Sequence, residues 1–320
     1  MHIVDFHCDT VSECFIKSAG AIRLNENGSH IDITKLKKGG ALAQFFAIYI
    51  PFGTAKYGYE ISAYEFFNLA RDCYLKEIKE NESDIAPAYC FRDIIANREQ
   101  GKISSILSVE DGALIEGSED RIKDLFQKGV RLITLTWNHE NSIGYPNSDD
   151  KSEMQRGLKK FGIEAVRIMN ELGIIVDVSH LSDGGFYDVA RHSEKPFVAS
   201  HSNARSLCSV SRNLSDDMLR VIGDKGGIAG INFLSAFLAE GANRTRVEDI
   251  VRHAVHIKEK AGIEAVAFGS DFDGIDSELE FKDYSGYPLI EEMLAKHFTS
   301  REVDLICSGN ALRVIKECIG

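Results

Sequence analysis

Histidines and carboxylates follow directly on several of the short apolar runs in this sequence. The first run leads into His7-Cys8-Asp9, in which a histidine and an aspartate stand two residues apart. Because side chains alternate between the two faces of a strand, we expect His7 and Asp9 to point the same way, together with Asp5. An imidazole and a carboxylate so placed can hold a divalent metal ion, although a polar strand end gives the same pattern.

Four more residues of metal-ligand type end later apolar runs in the same way. They are Glu110 after 103–109, His180 after 174–178, His201 after 197–200 and Asp271 after 265–270. The histidines that fall within helical patterns, among them His192 and His253, are expected to be structural, since most residues of this kind are solvated or satisfied within the fold.

Eight apolar runs of strand length, most of them separated by helical patterns, divide the sequence. They are 3–9, 39–50 with a turn at Pro51-Phe52-Gly53, 103–109, 130–135, 174–178, 197–200, 227–233 and 265–270. Strands that alternate with helices predict a parallel sheet, and eight such units predict a (β/α)₈ TIM barrel. An open doubly wound sheet is the alternative, but that fold usually carries a glycine-rich first turn, which is absent here.

Helical patterns complete the predicted fold. They include 61–82 and 153–172, and the tail from about residue 287 onward predicts additional C-terminal helices with a break near Ser308-Gly309. No linker or shift in composition interrupts the 320 residues, so we expect one domain over 1–320.

Composition excludes several classes of partner. The net charge is -12 without a basic block, which argues against nucleic acid and against attraction to an anionic membrane. Seven cysteines without a Cys-x-x-Cys pair predict a reducing compartment. With no leader sequence or bilayer-length apolar run recognisable, we expect a cytoplasmic protein.

A barrel gathers the strand ends at one face, where the active sites of such folds lie. Three histidines and two or three carboxylates exceed what one tetrahedral zinc ion needs, and they suit two ions. His7 and Asp9 would hold one ion, His180 and His201 the other, and Glu110 would bridge them. Such ions lower the pKa of a bridging water and polarise a carbonyl group.

Several longer motifs resemble the membrane (renal) dipeptidase family, peptidase family M19. The similarity spans nearly the whole chain, and the motifs occur in the family's order. They are Asp5-x-His7-x-Asp9, Glu110-Asp111-Gly112, Asp177-Val178-Ser179-His180, Ser200-His201-Ser202-Asn203-Ala204-Arg205, Ser211-Arg212-Asn213, Gly269-Ser270-Asp271-Phe272-Asp273-Gly274 and Gly309-Asn310-Ala311-Leu312-Arg313-Val314.

The resemblance implies a zinc-dependent dipeptidase with two Zn²⁺ ions bridged by the catalytic residue Glu110. It implies that Asp271 delivers a proton to the leaving amine, with Asp273 as the competing candidate. Arg212 would bind the C-terminal carboxylate of the dipeptide, for which its planar fork is suited. The family also implies tolerance of a D-residue on the C-terminal side and a homodimer.

One position departs from the family pattern. Members closer to the renal enzyme carry a histidine directly after the Leu-Thr of the fourth strand, where it contacts the scissile carbonyl oxygen. This chain has Trp137 there, followed by Asn138 and His139. His139 could reach that oxygen from a shifted loop, the role could pass to Asn138, or it could be lost, which puts the substrate range in doubt.

Two other functions compete with a dipeptidase. Another binuclear amidohydrolase, such as an N-acyl amino-acid deacylase, is disfavoured because related barrels usually open with His-x-His and place a lysine after the fourth strand. A metal-binding scaffold without catalysis would predict the loss of Asp271 or Arg212, and both are present.

Overall fold

In the computed structural model, which describes residues 2–51 and 58–320, eight parallel strands form a closed barrel. The strands are β1 (Ile3–Asp5), β2 (Ala41–Tyr49), β3 (Ile103–Glu110), β4 (Val130–Thr134), β5 (Ile175–Asp177), β6 (Val198–Ala199), β7 (Ile228–Ile231) and β8 (Val266–Phe268). β1 pairs with both β2 and β8, which closes the barrel. The predicted (β/α)₈ fold is confirmed, and each predicted run overlaps one barrel strand.

Helices lie between the strands and after the last one. They are α1 (Ile33–Gly39), α2 (Ala63–Glu80), α3 (Phe91–Glu99), α4 (Glu119–Gln127), α5 (Lys151–Met154), α6 (Lys160–Leu172), α7 (Asp183–His192), α8 (Asp216–Asp224), α9 (Ser235–Leu238), α10 (Val247–Ala261), α11 (Tyr287–Leu294), α12 (Ser300–Asp304) and α13 (Asn310–Ile319). The last three are the expected C-terminal helices.

Shorter elements were not predicted from the sequence. Two π-helical segments cover Thr10–Ile16 and Leu305–Gly309, and 3₁₀ turns cover Gly112–Ile115, Ile263–Ala265 and Tyr284–Gly286. Ile85–Pro87 pairs with the beginning of β3. A two-stranded sheet joins Arg244–Thr245 to Glu278–Leu279. The turn expected at 51–53 falls partly on residues 52–57, which lie outside the described residues.

Two helix predictions were wrong in detail. The pattern over 153–172 is divided between α5 and α6, because the carboxylate of Asp188 accepts the backbone N–H of Leu158 at 2.7 Å and draws the chain into a turn. The break expected near residue 309 is instead a π-helical segment that continues into α13. Asn310 fixes that junction beneath the barrel by donating to the carbonyl oxygens of Ile263 and Val266.

The lower half of the barrel is an apolar core. Its buried side chains include Val4, Phe6, Leu42, Phe45, Ile106, Leu132, Ile175, Val198, Ile228 and Ala267, and they form one cluster with apolar side chains of α13. Because this core and α13 fill the lower end, polar side chains collect at the opposite end, where the strands terminate. Within the described residues, no helix is both long and apolar enough to cross a membrane.

Candidate metal centre

The predicted ligands meet at the carboxyl ends of β1, β3, β5 and β6. His7, Asp9 and Glu110 form one triad, and Glu110, His180 and His201 form a second. Within each triad the ligand atoms lie within 4.8 Å of one another. Glu110 belongs to both triads, which is the position that the sequence predicts for a bridging carboxylate.

One carboxylate oxygen lies at the centre of this cluster. Oε1 of Glu110 is 3.1 Å from Nε2 of His180, 3.3 Å from Nε2 of His201 and 3.8 Å from Nε2 of His7. Oδ2 of Asp9 is 3.4 Å from the same His7 atom. These residues are nearly or fully buried, apart from a small exposed part of His180. Within the part of the chain that the structure describes, neither ring nitrogen of His7 has a hydrogen-bond partner. A buried point that so many polar atoms surround fits the binding of cations.

Backbone strain accompanies the cluster. His180 and Asp271 adopt left-handed backbone angles, with φ of 66° and 63°. Each such angle costs a residue other than glycine on the order of 1 kcal/mol or more, and it persists only where the surroundings enforce it. The surrounding fold therefore enforces the backbone angles of both residues, which place their side chains at the strand ends.

Asp5 lies outside the cluster, contrary to expectation. Its carboxylate accepts hydrogen bonds from the N–H and hydroxyl of Ser270 and from the hydroxyl of Tyr287. Regular strand structure ends at Asp5, so the alternation of faces does not extend from Asp5 to His7. Asp5 instead joins the ends of β1 and β8 to the C-terminal helices.

The histidines of the cluster differ in their charge states. Burial, with smaller effects from Arg212 and His7, holds the pKa of His180 and of His201 well below the usual value. Both rings are neutral at pH 7, and a neutral ring is the form that binds a metal.

His7 behaves in the opposite way. Burial opposes its charged form, but Glu110, Asp9 and Asp271 outweigh that effect and raise the imidazole pKa to about 10. The three carboxylates thus stabilise a positive charge at this point. Carboxylates and imidazoles are also zinc ligands, so the residues present fit a pair of divalent ions.

Asp271 lies at the edge of the cluster, whereas Asp273 lies outside it. Its Oδ1 is 3.8 Å from Nε2 of His7, and its Oδ2 accepts a hydrogen bond of 2.8 Å from the amide of Asn232. Burial and the neighbouring Asp9 raise its pKa to about 7, against the effects of His7 and Asn232. A carboxyl group with that pKa can both take up and release a proton near neutrality.

Asp273 has a structural environment. Its carboxylate accepts hydrogen bonds from the hydroxyl of Thr10 at 2.7 Å and from the backbone N–H of His30 at 2.6 Å. The loop around His30 is thereby joined to the first barrel strand's end. The geometry therefore favours Asp271 as the acid/base group.

Arg212 lies in the same cleft. A cavity of about 310 Å³ is lined by Asp9, Glu13, Tyr49, Glu110, Trp137, Asn138, His180, Leu234, Phe237, Asp271 and Gly274. An adjoining cavity of about 400 Å³ shares Asn138, His180 and Phe237 with the first and also contains Arg212. Arg212 is buried and donates to Ser202, while its Nε and Nη2 groups have no hydrogen-bond partner among the described residues. Two unpaired guanidinium donors form a site for an anion.

Asn138 and His139 occupy different places. Asn138 lines both cavities, and its Oδ1 lies 3.0 Å from Nδ1 of His180. The ring of His139 packs against Trp137, with ring centroids 5.8 Å apart, and His139 is not among the lining residues of either cavity. Of the two polar residues, Asn138 is the one beside the cluster.

Sequence reasoning missed several lining residues. Tyr49 is the last residue of β2, so the same strand-end criterion that selected Glu110 could have found it. Glu13 lies in the π-helical segment after β1, where no pattern marked it. Leu234 and Phe237 follow β7 in an apolar stretch that resembles ordinary core sequence.

Comparison with known proteins identifies a family for the whole chain. The model of the family described as membrane dipeptidase (peptidase family M19) matches residues 1–319. An uncharacterized dipeptidase of Schizosaccharomyces pombe is 32% identical over 336 residues, covering 98% of this chain and 80% of that protein. An uncharacterized protein in the pqqA 5' region of Klebsiella pneumoniae is 36% identical over 234 residues, covering 70% of this chain and 85% of that protein.

Solved structures give the same result. A dipeptidase described as a metallopeptidase of family M19 has a TM-score of 0.89 at 26% identity, covering 100% of this chain and 99% of the other. A metallopeptidase from Rhodobacter sphaeroides, bound to a phosphinate mimic of the dipeptide L-Ala-D-Ala, has a TM-score of 0.91 at 26% identity, covering 99% of each chain.

Proposed function

The chain belongs to the membrane dipeptidase family, peptidase family M19, and we propose that it is a zinc-dependent dipeptidase. In this proposal His7 and Asp9 would hold one zinc ion, His180 and His201 would hold the other, and Glu110 would be shared by both. The single observation that carries the proposal is the pair of ligand triads that share Glu110.

Arg212 gives the cleft a second subsite, one that binds an anion. The unpaired N–H donors of its guanidinium group suit the C-terminal carboxylate of a peptide. A substrate anchored there would extend past His180, which lines both cavities, toward the two triads. Because one end of the substrate would be anchored at Arg212 and the cleaved bond would lie at the triads, the cleft favours short peptides.

The chain's own residues would position the reacting groups. Bound zinc ions supply a lowered pKa for water and polarisation of the scissile carbonyl. Asp271 accepts a proton from the attacking water and gives it to the leaving amine, a role that its pKa of about 7 supports. Asn232 holds one oxygen of Asp271, which leaves the other directed at the cluster.

The stereochemistry of the substrate is part of the proposal. The related metallopeptidase from Rhodobacter sphaeroides was solved with a mimic of L-Ala-D-Ala. We therefore propose that this chain hydrolyses L,D-dipeptides as well as L,L-dipeptides. We also propose a cytoplasmic location, which the unpaired state of all seven cysteines supports.

A dipeptide panel with and without chelator tests the function. The panel contains L,L- and L,D-dipeptides, the corresponding dipeptide amides and N-acetyl amino acids. We expect turnover of dipeptides with free carboxylates, loss of turnover on chelation and recovery with zinc. Preferential cleavage of N-acetyl amino acids would indicate a deacylase, and no chelator-sensitive turnover of any compound would indicate a scaffold.

A further inference from the structure

Two serine–aspartate pairs at the mouth of the barrel have almost the same geometry. Ser200 donates to Asp177 from its N–H at 2.8 Å and from its hydroxyl at 2.6 Å. Ser270 donates to Asp5 from its N–H at 2.9 Å and from its hydroxyl at 2.6 Å. All four residues are fully buried.

Only the first pair contacts the side chain of a metal ligand. The second contacts the backbone of His7, because Asp5 accepts the N–H of His7 at 3.2 Å and the hydroxyl of Ser270 lies 3.3 Å from its carbonyl oxygen. The hydroxyl oxygen of Ser200 lies 2.6 Å from Nδ1 of His201. Asp177 also accepts the hydroxyl of Thr134 and the N–H of Ser179, so donors face both of its carboxylate oxygens. It is an acceptor in each of these contacts.

This arrangement determines the tautomer of His201. A hydroxyl group has one proton to donate, and the proton of Ser200 goes to the carboxylate of Asp177. The oxygen of Ser200 can then only accept, so Nδ1 of His201 must carry a hydrogen. The lone pair of His201 is consequently on Nε2, the atom 3.3 Å from Glu110.

We propose that Ser200 and Asp177 are positioning residues that hold His201 in its metal-binding tautomer and strengthen the ion on the His180–His201 side. The proposal rests on the proposed metal centre but not on the choice of substrate. Hydrogen bonding of the far nitrogen of a ligating histidine orients the ring and makes it more basic, and its loss typically lowers metal affinity by 10–100-fold.

Ser270 supplies a matched control. Ser200→Ala and Ser270→Ala each remove one buried hydroxyl bonded to a strand-end aspartate, so they should cost similar stability. Zinc affinity is measured on the purified full chain by competition with a chromogenic chelator, without any peptide substrate. We expect Ser200→Ala to weaken one of two zinc equivalents by about 10–100-fold, with Ser270→Ala within about threefold of the wild type.

Equal losses in the two variants, or no loss in Ser200→Ala, would overturn the proposal. If Ser200→Ala does not fold, long-range ¹H–¹⁵N NMR of the zinc-free wild type decides instead. We expect a proton on Nδ1 of His201. A proton on Nε2 would contradict the proposed role of Ser200 and Asp177 in fixing the tautomer. Since neither measurement uses hydrolysis, a failure here is distinct from a failure of the dipeptidase proposal.

Discussion

The backbone of Gly274 passes so close to Asp9 that a Cβ atom on it would lie 2.1 Å from Oδ2 of the aspartate. The same Cβ would lie 2.7 Å from Oδ1 of Asp271. Glycine is therefore required here by the space that two functional carboxylates occupy.

Gly274→Ala should accordingly displace Asp9 and weaken the ion on the His7–Asp9 side. We expect the loss of up to one zinc equivalent per chain, measured by elemental analysis after dialysis, and a fall in dipeptide turnover of about 100-fold. Gly223→Ala is the control, since its Cβ would meet the carbonyl oxygen of Ala261 at 2.2 Å, far from the cluster in the fold. Equal zinc content in the two variants would contradict this role of Gly274.

Asp271→Asn should separate proton transfer from metal binding. The amide cannot take up the proton that a carboxylate near pKa 7 can, so kcat should fall by about 10²–10⁴-fold with both zinc equivalents retained. Asp273→Asn alters the hydrogen bonds to Thr10 and His30. Its main effect should therefore be a lower melting temperature, with only a small effect on kcat. Loss of zinc from Asp271→Asn would mean that Asp271 is a ligand, as its proximity to His7 and His201 also allows.

How much of this site could be predicted from the sequence depends on whether the interacting residues are close together in the sequence or far apart. The candidate ligands could be located in the sequence because β-strand length and apolar content are local properties, and a barrel then brings the strand ends together. The partners of those ligands were not found, since the contacts of Ser200 with Asp177 and of Asn232 with Asp271 depend on register between strands. The division between α5 and α6 was missed for the same reason, because Asp188 lies in a different helix from the turn that it fixes.

Arg212→Met should reveal the carboxylate subsite. Its two unpaired guanidinium donors contribute charge-assisted hydrogen bonds of about 1.5–3 kcal/mol each, so kcat/KM for dipeptides should fall by about 150-fold or more, chiefly through KM. Dipeptide amides lack the carboxylate and should be cleaved at similar rates by the variant and the wild type. A comparable loss on both substrates would place Arg212 in a structural role.

Asn138 and His139 can be distinguished by paired alanine variants. Asn138 contacts Nδ1 of His180 and lines the cleft, whereas His139 packs against Trp137. We expect Asn138→Ala to lower kcat/KM by about 10-fold or more, through the orientation of His180, and His139→Ala to change it by about twofold at most. A larger effect at His139 would show that this residue reaches the scissile carbonyl from a rearranged loop.

His253 makes stability depend on pH away from the metal centre. Its Nδ1 accepts the N–H of Ala204 and its Nε2 lies 2.9 Å from the carbonyl oxygen of Leu238, so the neutral ring is bonded at both nitrogens. Burial lowers its pKa to about 4. In the unfolded chain the pKa is about 6.5, so between these values the unfolded state binds a proton that the folded state does not. The free energy of unfolding should therefore fall as the pH drops from about 6.5 to about 4, by up to about 3 kcal/mol from this residue.

Urea unfolding of the wild type and His253→Gln across pH 4–7 isolates this contribution. The variant should be less stable at pH 7, where it loses the bonds of the ring, but the difference should shrink as the pH falls. The metal ligands titrate in both proteins, so their effect cancels in the difference. A stability difference for His253→Gln that stays constant over this pH range would mean that the buried ring binds a proton as readily in the folded protein as in the unfolded chain.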